Sequence, residues 1–148
     1  MAETIAFAAD HGGFELKNLL VGKVKAEGFE ALDLGTYSTD SVDYPDMAAK
    51  LAEAIKSGKA SRGVLCCGTG IGISIAANRF PFIRAALIHD AFGARLCREH
   101  NDANVIVFGG RTIGTEVAYD CLHIFLTTAF AGGRHARRVE KLATIAKE

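Results

Sequence analysis

Short runs of β-branched and apolar residues alternate with longer segments whose apolar positions recur every three or four residues, and the alternation continues along the whole chain. The short runs predict strands over residues 4–9, 30–34, 63–67, 84–88 and 104–108. The intervening segments predict helices with one apolar stripe each: Leu16, Leu20 and Val24 in the first, Met47, Leu51 and Ile55 in the second, and Val117, Cys121, Ile124 and Phe125 in the fifth. Strand and helix follow one another with no Pro-rich or low-complexity linker. That is the pattern of stacked βαβ units around a parallel sheet, because parallel neighbours need a long crossover.

The expectation is therefore an α/β, Rossmann-like three-layer fold with a five-stranded parallel sheet, forming a single domain over residues 1–148. A last segment, 134–147, follows Gly132-Gly133, is basic, and carries Val139, Leu142 and Ile145 on one side. It predicts a C-terminal helical arm that packs on something, a second subunit being one candidate.

Composition narrows the function by exclusion. Lys plus Arg balance Asp plus Glu at 17 each, so no global field favours nucleic acid or an anionic membrane, and any anion site must be local. Apolar runs break well short of the ~20 residues a bilayer span needs, and residues 1–9 read as a strand and not as a signal segment. A soluble, cytoplasmic protein is expected. Cys66, Cys67, Cys97 and Cys121 show no CxxC spacing, which fits a reducing compartment and argues against a structural zinc. Neighbours on a strand face opposite ways, so Cys66 and Cys67 cannot both be core residues on one side, and one of them calls for a separate explanation.

In an open parallel sheet the ligand crevice lies beyond the carboxyl ends of the strands. The residues there are Asp10-His11-Gly12-Gly13, then Cys67-Gly68-Thr69-Gly70-Ile71-Gly72, then Gly109-Gly110-Arg111-Thr112, with His100-Asn101-Asp102 added just before the last strand. Gly68 to Gly72 follow a strand and open a helix, so their N–H groups can converge on an anion. A dinucleotide fingerprint would need Gly where Ile73 stands and an acid near Phe82 and Ile83, and no Gly-Lys-Ser/Thr completes a P-loop. Gly72-Ile73-Ser74-Ile75-Ala76 approximates a hydrolase elbow, but Ser74 lies seven residues past Cys67, inside the predicted helix.

Cys67, beside those amides at a helix start, is the candidate base or nucleophile, and its pKa is expected to fall there; the other three cysteines read as inert packing residues. His100 can donate or accept a proton near neutral pH, and Asn101 beside it can hold a developing oxyanion. Arg111, Arg134, Arg137 and Arg138, with His135, supply guanidinium forks suited to phosphate. Arg134 and Arg138, four apart, share a helix face from which Arg137 is turned away.

Asp10-His11-Gly12-Gly13, Val42-Asp43-Tyr44-Pro45, Cys67 to Gly72 running into Ile75-Ala76-Ala77-Asn78, His100-Asn101-Asp102-Ala103-Asn104, Gly109-Gly110-Arg111 and Gly132-Gly133-Arg134-His135 with Arg138 stand in a specific order. Over nearly its whole length the chain resembles the ribose-5-phosphate isomerase B family, which includes allose-6-phosphate and galactose-6-phosphate isomerases. The resemblance implies an aldose–ketose isomerase, without metal or redox cofactor, that interconverts ribose 5-phosphate and ribulose 5-phosphate through an enediolate. Cys67 would take the C2 proton, and His100, with Thr69 nearby, would assist ring opening. Asn101 and the amides of Gly68, Thr69, Gly70, Ile71 and Gly72 would hold the enediolate oxygen. Asp10 and Tyr44 would contact sugar hydroxyls, and His11, Arg111, Arg134 and Arg138 the phosphate. It also implies a homodimer, or dimer of dimers, with the site between subunits. Phe82 and Phe92-Gly93 depart from the family pattern and bear on the outer shape of the pocket. Another sugar phosphate, of six or four carbons, is the alternative substrate; a noncatalytic sugar-phosphate binder is the alternative class.

Overall fold

The computed structural model describes residues 2–146; Lys147, the predicted end of the terminal helix, lies outside them. Five strands, β1 (Thr4–Ala9), β2 (Glu30–Asp33), β3 (Arg62–Cys67), β4 (Ala85–Leu87) and β5 (Val105–Gly109), form one sheet in the order β2-β1-β3-β5-β4. Every pairing is parallel. Helices α1 (Phe14–Ala26), α4 (Ala91–Glu99) and α5 (Thr115–Thr127) pack on one face, and α2 (Tyr44–Lys56) and α3 (Ile71–Ala77) on the other. With both faces covered, the central strands are apolar at consecutive positions, which is why they read as continuous runs.

Packing on two faces resolves the paired cysteines. Cys66 lies under α1 and α5, and Cys67 lies on the opposite face with α2 and α3, so both are buried core residues. Burial alone therefore asks no special explanation of either; position at the strand's end still separates Cys67. Burial pushes the thiols of Cys97 and Cys121 up to about 11, and raises that of Cys66 further.

Leu16, Leu20, Val24, Met47 and Leu51 are buried as their spacing predicts, while Ile55 is only partly covered. On α5 the buried stripe is Ala118, Cys121, Leu122, Phe125 and Leu126; Val117 is 44% exposed. A helix turns about 100° per residue, so a stripe centred one residue later carries Val117 off the face. The predicted stripe also missed Lys17, which is fully buried beside Leu16 and pairs with Asp33 at 2.7 Å.

Strand β4 is three residues long, shorter than predicted; at its start Arg84 N–H donates to the Asn104 side chain instead of the ladder. At this sheet edge the Asn78 amide acts as a one-residue strand mate: Ala85 N–H donates to Asn78 Oδ1 at 2.8 Å, and Asn78 Nδ2 donates to Ala85 O at 3.0 Å. The last helix, α6 (Arg134–Thr144), buries none of its residues, with Leu142 51% exposed and Ile145, just past its end, 80% exposed. It is the predicted arm, and it stands away from its own core.

Candidate active site

Cys67 closes β3, and its Sγ accepts a hydrogen bond from Gly70 N–H at 3.1 Å. Gly70 can close so tight a turn because its φ is 79°, and a Cβ there would lie 2.4 Å from Leu87 Cδ1. Ile71 N–H donates to Thr69 Oγ1 at 3.2 Å, so two of the amides expected to face an oxyanion are engaged within the loop. Ser74 sits inside α3, its hydroxyl donating to Ile71 O, away from any elbow.

Three glycine segments pack backbone to backbone around this turn. Gly110 N–H donates to Cys67 O at 2.8 Å and Arg111 N–H to Gly68 O at 2.9 Å. A Cβ on Gly12 would meet Gly68 N at 2.9 Å, and one on Gly13 would meet the carbonyl carbon of Cys66 at 2.4 Å. Side chains at these positions would force the strand ends apart. The contact brings Asp10, His11 and Arg111 to the Cys67 turn.

Asp10 is buried, and its Oδ1 accepts the N–H groups of Gly12 at 2.8 Å and Gly13 at 3.2 Å. That oxygen is committed to the turn. His11 Nδ1 accepts Val42 N–H at 3.2 Å, which assigns Nδ1 as the unprotonated nitrogen and leaves Nε2 as the donor. His11, Gly12, Glu15, Leu16, Gly110 and Arg111 line a cleft of about 250 Å³. Among the described residues no carboxylate pairs with the Arg111 guanidinium, which lies over Gly68. Tyr44, at the start of α2, rests on Gly72, where a Cβ would lie 2.7 Å from its Cζ.

The second group of predicted residues stands elsewhere. Helix α4 leaves the carboxyl end of β4 and returns, so His100 and Asn101, which follow it, lie at the amino end of the sheet. Cys67 pairs with Gly109 and Gly63 with Val105, so the length of β5 separates the two groups, roughly 13 Å at ~3.3 Å per residue. His100 stacks on His135 with ring centroids 4.2 Å apart, and the two line a cleft of about 230 Å³ with Asn101, Arg138, Val139 and Leu142. His135 has its pKa lowered, through loss of water around it and the nearby His100, Arg134 and Arg138. Arg138 lines this cleft and Arg137 does not. The sequence reading grouped His100 with the carboxyl-end residues; within one chain the connection order puts it at the other end.

A family model described as Ribose/Galactose Isomerase matches residues 5–142. The chain belongs to the ribose/galactose isomerase family. Among its relatives, ribose-5-phosphate isomerase B of Escherichia coli is 45% identical over 141 residues, covering 95% of each chain. The solved ribose-5-phosphate isomerase B of Clostridium thermocellum superposes with a TM-score of 0.95 at 49% identity, covering 97% of each chain. That of Thermotoga maritima gives 0.94 at 50% identity, over 97% of this chain and 99% of the other. Within this family, the element that sequence reasoning missed is the Lys17–Asp33 pair, which lies under the Asp10 turn: Asp33 Oδ1 also accepts Gly35 N–H, and Gly35 O accepts Ala9 N–H. An isolated Lys inside an apolar stripe was the available signal.

Proposed function

We propose that the protein interconverts ribose 5-phosphate and ribulose 5-phosphate, with Cys67 as the base and with each site shared between two copies of the chain. The observation that carries this reading is the Cys67 turn itself: a sulfur fixed by Gly70 N–H at a strand end, with the Arg111 guanidinium, unpaired with any carboxylate among the described residues, across Gly68. Relatives at 45 to 50% identity that carry the name ribose-5-phosphate isomerase B support the five-carbon substrate.

In the open aldose the Cys67 thiolate takes the C2 proton, giving an enediolate, and returns it to C1, while the proton on O2 passes to O1. No electrons are exchanged with any acceptor. The cost of the step is the oxyanion, which N–H donors and an amide side chain lower by preorganised hydrogen bonds. Gly68, Thr69 and Gly72 line the turn for that role, with Asn101 as the side-chain donor; Gly70 and Ile71 could join only by giving up their bonds within the loop. Asp10 through its second oxygen and Tyr44 through its hydroxyl hold the sugar, and His11 Nε2 and Arg111 reach the phosphate.

His100, Asn101, Arg134 and Arg138 complete the site from a neighbouring subunit. Their position at the far end of the sheet supports this, as does an arm that leaves Leu142 51% and Ile145 80% exposed. His100 then opens the furanose ring by proton transfer, and the two arginines clamp the phosphate. Among the described residues no helix is long and apolar enough to cross a membrane, and the four free thiols fit a cytoplasmic location. Purified protein assayed against four-, five- and six-carbon aldose phosphates should turn over ribose 5-phosphate with the highest kcat/KM. A clear preference for another chain length would replace the substrate, and inactivity on the whole panel would overturn the isomerase reading.

A further inference from the structure

Among the described residues Asp102 is the only non-glycine with positive φ, at 47°. It directly follows His100 and Asn101. Glycine would take this conformation with less strain, so a carboxylate here needs contacts that offset it. It has them on three sides. Asp102 N–H and Ala103 N–H donate back to Arg98 O at 3.2 Å and Cys97 O at 2.9 Å, closing the end of α4. Its Oδ1 accepts Arg98 Nη1 at 2.9 Å, Oδ2 faces Arg84 Nη2 at 3.5 Å, and its carbonyl accepts Arg84 Nε at 2.8 Å.

The two arginines extend the link. Arg98 Nη1 also donates to Ala103 O at 2.6 Å, and its Nε donates to Thr128 O at 3.1 Å, in the segment leading to α6. Ala131 N–H donates to Glu99 O at 3.0 Å. One carboxylate thus joins the end of α4, the start of β4 and the root of the arm, and the residues held between these anchors are His100 and Asn101.

We propose that Asp102 is a positioning residue: through Arg98 and Arg84 it sets the direction in which His100 and Asn101 are presented to the Cys67 turn of a second copy. The inference rests on the shared-site isomerase reading above. Without the carboxylate, the turn after α4 keeps its backbone bonds and the arginine bonds to the carbonyls of Asp102 and Ala103, but loses the Arg98 contact to Oδ1 and the Arg84 contact to Oδ2, and His100 is presented over a wider range of angles. Misplacing a proton-transfer group by about an ångström costs of order a hundredfold in rate.

The test is a double-mutant cycle on the full chain with ribose 5-phosphate as substrate. Asp102→Gly relieves the strained φ and removes both carboxylate contacts; kcat should fall roughly ten- to a hundredfold while the melting temperature changes little. Asp102→Asn, which tolerates the same φ and keeps an acceptor for Arg98, should recover most of the loss. In a His100→Asn background Asp102→Gly should cost much less than it does alone, because the proton-transfer group is already gone and only the effect on Asn101 remains. Equal losses in both backgrounds, or no loss at all, would overturn the inference while leaving the isomerase reading intact. If Asp102→Gly does not fold, Arg98→Gln, which removes the guanidinium on Asp102 Oδ1, is read in the same cycle, and its loss must be confined to the background that retains His100. An inactive wild type would overturn the isomerase reading, and this inference with it.

Discussion

Cys67 and His100 stand at opposite ends of one sheet, the first closing β3 at its carboxyl edge and the second preceding β5 at its amino edge. If both serve one reaction, they serve it from different chains. Mixing Cys67→Ala with His100→Asn protein under conditions that let subunits exchange should then restore activity, to about a quarter of sites at equal amounts of a dimer. Hybrids that form and stay inactive would place base and histidine in the same chain.

Tyr44 and Gly72 are in contact, and Tyr44 is partly exposed, so a methyl at position 72 can be accommodated only by swinging the ring away. Gly72→Ala should raise KM severalfold with little change in stability. Gly13→Ala is the contrast, since its Cβ would press on the Cys66 backbone, which cannot move without shifting β3. That substitution should cost about 1–3 kcal/mol in denaturant unfolding. Equal stability losses in the two variants would show that Tyr44 is not free to move.

Lys17 and Asp33 form an ion pair whose members differ in burial, 0% exposed for Lys17 and 31% for Asp33. Removing the lysine leaves a carboxylate that water can still reach, whereas removing the acid strands a buried ammonium. Asp33→Ala should therefore destabilise by about 3–5 kcal/mol and Lys17→Met by less, read from urea midpoints. The reverse order would mean that Asp33 depends on Lys17 more than its exposure indicates.

The fold was legible because a two-sided parallel sheet writes itself as consecutive apolar residues, as at residues 63–67, and each covering helix writes a stripe. Val117 failed because neighbouring apolar residues on α5 let the stripe be centred one position off. The carboxyl-end half of the candidate site was legible for a related reason: glycines at 12, 68 and 110 mark close backbone approach at strand ends, and Cys67 sits among them. His100 was legible as chemistry but not as location. A helix in a βαβ unit carries the chain back across the sheet, and residues after α4 inherit its far end. Lys17 was hidden because burial of a charge depends on a partner sixteen residues away, which periodicity does not encode.

The most direct test of the account is the isomerisation rate of ribose 5-phosphate by Cys67→Ala, set beside Cys66→Ala. The two thiols are chain neighbours on opposite faces of β3, so the pair controls for everything except which sulfur meets the substrate. Cys67→Ala should lose at least ~10²–10⁴-fold in kcat while still binding ribose 5-phosphate by calorimetry, since the phosphate and hydroxyl contacts remain. Cys66→Ala should keep kcat near the wild-type value. A Cys67→Ala protein that turns over normally, or a loss of activity confined to Cys66→Ala, would contradict the assignment of the base.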